Sequence, residues 1–119
     1  MEQNKDTNIA VVERDKIAEL ANIEEIKELR KSIHKSNEMS YADGGIDSLS
    51  FTLLGVCDQK LYEGKELEIY FDILDTRNFL KEKYAELPED KALIHREYVE
   101  GALNEANERL DFIANEILQ

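Results

Sequence analysis

Apolar positions along this chain recur mostly at intervals of three and four residues, and that period predicts helices. The broadest pattern runs from Leu67 to Leu87, where Leu67, Tyr70, Leu74, Leu80, Tyr84 and Leu87 fall at helical spacing and Phe71 and Ile73 widen the stripe. So wide a stripe predicts a helix covered on more than one side. Pro88 disfavours the α conformation at Leu87 and ends the helix there.

The last segment is as strongly periodic. Val99, Leu103, Ala106, Leu110, Ile113 and Ile117 keep a near-heptad spacing, flanked by Ala102, Ala114 and Leu118. Small alanines at such a seam permit close helix approach. Asp90 suits the N-terminus of this helix electrostatically, and almost thirty residues would run about 40 Å at 1.5 Å each. That length, and apolar positions on either side of the seam, lead us to expect a homodimer through Val99, Ala102, Leu103, Ala106, Leu110, Ile113, Ala114 and Ile117.

The chain opens on a polar stretch, residues 1–8, read as a disordered tail. Ile9 to Val12 is a short apolar run suited to docking on the core or on another subunit. A helical pattern appears near Asp15, with Ile17 and Leu20 on one side. Asn22 then has the form of an N-cap, with Glu25 three residues on and Ala21 and Ile26 as a staple pair. These predict a helix from Ile23 to about Ser36, burying Ile26, Leu29 and Ile33. Residues 37–48, with Gly44 and Gly45, read as a loop or a weak helix start whose glycines let another backbone approach.

Residues 46–74 carry two patterns at once. Ile46, Leu49, Leu53 and Val56 are helix-spaced, yet Leu49, Phe51 and Leu53 alternate with polar residues, as do Leu67, Ile69, Phe71 and Ile73. The helical reading is preferred, because the second pattern continues unbroken to Leu87 and an isolated two-stranded sheet is marginal. The expected fold is therefore all-α: one domain over 1–119, an antiparallel helical bundle with a long C-terminal helix. The alternative is α+β, with a β-hairpin at about 48–73.

Composition agrees with helices. One proline, no tryptophan and 35% charged residues in 119 suit long solvated helices in a single domain. One cysteine excludes an internal disulfide framework and fits a reducing cytoplasm. The polar start shows no secretion signal, and no apolar run approaches a membrane span.

The formal charge of −12 is uneven: residues 38–75 carry nine acids against two bases. Such a middle repels nucleic acid and anionic membranes and attracts a basic partner, so direct nucleic-acid binding is not expected. Asp58, Glu63, Glu66, Glu68, Asp72 and Asp75 are the candidate surface for that partner. One face of the first long helix has the opposite sign, with Lys27, Arg30, Lys31, His34 and Lys35 aligned. It is a solvated face, a face that pairs with the acidic middle of the same or another chain, or a site for a phosphorylated or other anionic ligand on which Tyr41 or Tyr62 would stack.

Catalytic signatures are missing. His34 and His95 have no ligand-spaced partner, and there is no zinc motif, Walker loop, dinucleotide fingerprint or nucleophile elbow. Asp43 and Asp47 lack calcium-loop spacing, and no metal or cofactor is expected. In size, acidity and helical content the chain is like many small accessory proteins encoded by bacteria and their phages, a likeness that no motif carries. The functional expectation is a non-enzymatic protein that binds, regulates or inhibits another protein through its acidic surface. A variant of it is an acidic mimic of nucleic acid that blocks a DNA- or RNA-binding protein. The rival is a binding protein for an anionic or nucleotide-like small molecule at a subunit interface.

Overall fold

The computed structural model describes residues 16–117. Among them the regular elements are helices: α1, described over 16–20, then α2 (Glu24–Cys57), α3 (Glu66–Ala85) and α4 (Glu89–Ile117). The tail and the apolar run at 9–12 lie outside the described residues. The all-α expectation holds and the hairpin alternative at 48–73 does not. In a strand Leu49, Phe51 and Leu53 would share one face. Here Leu49 and Leu53 are fully buried while Phe51 is 72% exposed, the separation that a 3.6-residue period imposes.

α2 is two limbs, 24–44 and 46–57, separated by a single residue. Gly45 has φ 69° and ψ −149°, a region essentially restricted to glycine. Ser40 Oγ lies 2.8 Å from Ser48 Oγ and 3.3 Å from Thr52 Oγ1. Residues twelve apart in a straight helix are about 18 Å apart along the axis, so the limbs fold back on each other. Gly44 makes room for the turn: a Cβ there would sit 2.6 Å from Ser48 Cβ. The expected helix end near Ser36 and the expected loop at 37–48 are thus both corrected. Nothing from 37 to 44 breaks the helix, and the turn is confined to Gly45. The close neighbour at Gly44 is the Ser48 side chain rather than another backbone, and a Cβ at Gly45 would have none within 4 Å.

The cross-helix contacts give an up-down-up-down bundle. Arg30 meets Asp75, Asn37 meets Thr76 and Tyr41 meets Phe79, so the first limb runs parallel to α3. Asp47 meets His95 and the Gln59 carbonyl meets Arg109, so the second limb runs parallel to α4. Arg77 meets Asn107 and the Tyr84 hydroxyl donates to the Ala92 carbonyl, which makes α3 and α4 antiparallel neighbours.

α3 is covered on two sides, as its broad stripe predicts. Ile69, Ile73, Phe79 and Leu80 join the main core with Leu49, Leu53, Val99 and Ile113. Phe71 turns the other way, into a second cluster with Ile17 of α1 and Ile26. The helix ends at Ala85, two residues short of Leu87, and Pro88 follows the turn.

The capping box expected at Asn22 and Glu25 does not form. Asn22 belongs to the turn that closes α1, its N–H donating to the Glu19 carbonyl, and α2 starts at Glu24 with Ile23 as N-cap and no side-chain cap. Of the expected staple pair, Ala21 packs on the cluster to which Ile26 belongs.

Candidate functional site

Four of the five basic residues converge on one feature. Lys27, Arg30, Lys31 and His34 line a cavity of about 620 Å³ between the first limb of α2 and α3, with Asn37, Asp75, Asn78, Phe79 and Glu82 also in its wall. Lys35 is exposed elsewhere and does not line it. The charge is largely answered inside the chain. Arg30 donates twice to Asp75, at 2.9 Å through Nε and through Nη2, and its guanidinium lies 4.8 Å from the centre of the Phe71 ring. The hydrogen bonds to Asp75 push the Arg30 pKa further up, against the effect of burial. Lys31 reaches Glu28 and His34 reaches Glu38. Tyr41 and Tyr62 do not line the cavity: Tyr41 packs edge-on to Phe79, and Tyr62 is exposed beside a different recess.

Four of the six acids expected to form a partner surface are engaged within the chain. Asp75 holds Arg30, Glu68 pairs with Lys65 at 3.3 Å, and Glu66 accepts the Gly64 N–H at 2.8 Å. Asp72 accepts a hydrogen bond from Gln59 Nε2 at 3.1 Å. Burial raises the pKa of Asp72 and the Asp75 carboxylate adds to that, while the Gln59 hydrogen bond opposes it. Asp58 and Glu63 are the two exposed members.

The C-terminal seam faces inward. Val99, Ala102, Ala106, Leu110 and Ile113 are buried in the chain's own core, and Leu103 and Ile117 pack against it. Ala114 packs on the cluster formed by Ile17, Ile26 and Phe71. The far end of α4 is thus covered by α1 and the start of α3. A second copy cannot reach the five buried residues without opening the fold.

A different apolar surface, off the periodic stripes, is exposed. Asp47, Phe51 and Leu54 follow one another down the second limb at spacings of four and three, hence on one side. His95 Nδ1 lies 2.8 Å from Asp47 Oδ1, and Leu54 shares a groove of about 560 Å³ with Ile94, Glu97, Tyr98, Gly101 and Ala102. That side therefore faces α4. Phe51, Ile94 and Tyr98 are 72%, 79% and 39% exposed. Scattered single apolar residues on a surface are ordinary, whereas neighbouring ones around a groove mark contact sites. Their signal was present in the sequence: Ile94 and Tyr98 lie four apart and off the Val99 stripe.

Cys57 is buried at the lower end of this limb. Burial first, then Glu105 and Asp58, push its thiol from 9.0 up to about 11, against Arg109. A rise of that size lowers the thiolate fraction near neutral pH about a hundredfold, so a thiol reagent should label the native protein very slowly and the unfolded protein fast. Stability should fall as pH rises from 9.0 to about 11, because the unfolded thiol ionises first. Melts across that range should show a shallower fall for Cys57→Ala.

Among the described residues no group of three or more His, Cys, Asp and Glu side chains could hold a metal ion, and no helix is long and apolar enough to cross a membrane. No protein-family model, curated protein or solved structure matches the chain.

Proposed function

We propose that this chain is a non-enzymatic interaction protein that docks a basic, amphipathic helical segment of another protein in the groove between the second limb of α2 and α4. The observation that carries this reading is a groove lined by Leu54, Ile94 and Tyr98, with Ile94 79% exposed and the 72% exposed Phe51 one turn from Leu54 along the same side of the second limb. An amphipathic helix buries its apolar face in such a groove. The rim selects the charge of the occupant. Glu97 lines the groove, Asp90 and Glu105 lie one turn beyond Ile94 and Gly101 along α4, and the exposed Asp58 lies one turn beyond Leu54. In a chain of net charge −12 these groups steer a cationic partner toward the groove and disfavour an anionic one.

Two fluorescent helical peptides with the same apolar face, one rich in lysine and one in glutamate, test the reading by anisotropy. The basic peptide should bind saturably, with affinity falling as salt rises. Ile94→Glu should weaken it about tenfold or more, as loss of an apolar anchor does at an interface, with the melting temperature unchanged. No saturable binding of the basic peptide, equal binding of both, or indifference to Ile94→Glu would each remove this groove as the docking face.

A further inference from the structure

We propose that the Gly44–Gly45 turn is an exchange hinge, through which α2 straightens and trades its first limb with a second copy of this chain. Three observations converge. The limbs are helical up to both sides of one residue, and only the φ of 69° and ψ of −149° at Gly45 keeps them from continuing as a single helix. Straightened, 24–57 would form a rod of about 50 Å at 1.5 Å per residue. The second observation is the crowding at Gly44, where a Cβ would come within 2.6 Å of Ser48 Cβ. That proximity exists only in the folded-back form, since residues four apart in a straight helix have Cβ atoms about 5–6 Å apart. The third is the chemistry of the interlimb contact next to the hinge. Ser40 bonds to both Ser48 and Thr52 there, and water can replace those partners when the limbs separate.

Exchange leaves the packing intact, because a swapped limb meets the same surface on the other copy. Arg30 of one copy would lie against Asp75 of the other, and Asn37 against Thr76. The partner is therefore a second copy, and the surface that receives its limb is the face of α3 that holds the first limb in the closed chain. This route to a dimer leaves the buried seam of α4 covered.

The two glycines set the balance, and substituting them tests the hinge. Gly45→Ala penalises the closed form, where a side chain rarely adopts that conformation, and favours the straight helix, where alanine exceeds glycine. Each effect is worth several-fold per chain, and a dimer contains two hinges, so the dimerisation constant should rise about a hundredfold or more. Gly44→Ala should act in the same direction through its clash with Ser48. Gly55→Ala is the control: it lies inside the second limb with open space for a Cβ, and should leave the mass in light scattering equal to that of the unsubstituted chain.

Exchange is distinguished from side-by-side pairing by a mixing experiment in the Gly45→Ala background. A chain with Arg30→Asp and a chain with Asp75→Arg each oppose like charges at this contact. Mixed, they restore both ion pairs only if the limbs cross over, and a heterodimer should then form in preference to either homodimer. Gly44→Ala and Gly45→Ala chains that both remain monomeric, a Gly55→Ala chain that dimerises equally, or dimers with no preference for the mixed pair would overturn the proposal.

Discussion

Ile73→Asp is expected to abolish the cooperative thermal melt. Ile73 is fully buried in the main core, on the side of α3 that meets the second limb and α4. A carboxylate there would have no cation to meet, since the core cluster around it is apolar. Burying an ionised or unpaired polar group costs several kcal/mol, about the whole stability of a small domain. Ile73→Val, which removes one methylene, should cost only about 1 kcal/mol and keep the transition sharp. Leu110→Asp should behave like Ile73→Asp, while Leu74→Asp, at a half-buried position between the two clusters, should be milder. Circular dichroism melts of the four variants check the order. A normal melt for Ile73→Asp would mean that α3 does not present this face to the core.

Asp75→Ala should cause the second-largest loss, about 2–3 kcal/mol, seen as a fall in melting temperature of roughly 10 °C. The aspartate side chain is 16% exposed and holds the Arg30 guanidinium by two hydrogen bonds, with the Phe71 ring beneath the same group. Removing it leaves a partly desolvated cation without its acceptor. Removing both partners is a different experiment: Arg30→Met with Asp75→Leu eliminates the stranded charge and should lose less than Asp75→Ala alone. A double variant worse than the sum of the two single ones would contradict this account.

The helices were legible because burial follows the 3.6-residue period, and α3 shows it best: its wide stripe becomes two buried sides. What the sequence concealed were choices of partner. That the basic face could pair with the acidic middle was legible from their opposite charge, but Asp75 and Arg30 are 45 positions apart, so spacing does not say which acid meets which cation. The seam of α4 suggested a second copy because the covering role of α1 depends on Ile17 reaching Phe71 and Ile26, a tertiary contact. The capping box failed for a local reason: Asn22 was taken into the turn after α1. The groove at Leu54, Ile94 and Tyr98 was not legible because Ile94 and Tyr98 fall outside the periodic stripe of α4, and residues off the stripe are the ones left for contact with something else.

The Asn37–Thr76 pair has a consequence for how the helices are aligned. Asn37 is 3% and Thr76 1% exposed, and the amide donates to the Thr76 hydroxyl at 3.1 Å. Apolar helix faces tolerate axial slippage, since one leucine-sized contact resembles the next. Shifting the first limb by one turn, about 5.4 Å, would strand both polar groups against hydrocarbon, at about 1–3 kcal/mol each. The pair therefore acts as a register pin: it adds little to the depth of the native state and much to the gap separating it from its slipped neighbours.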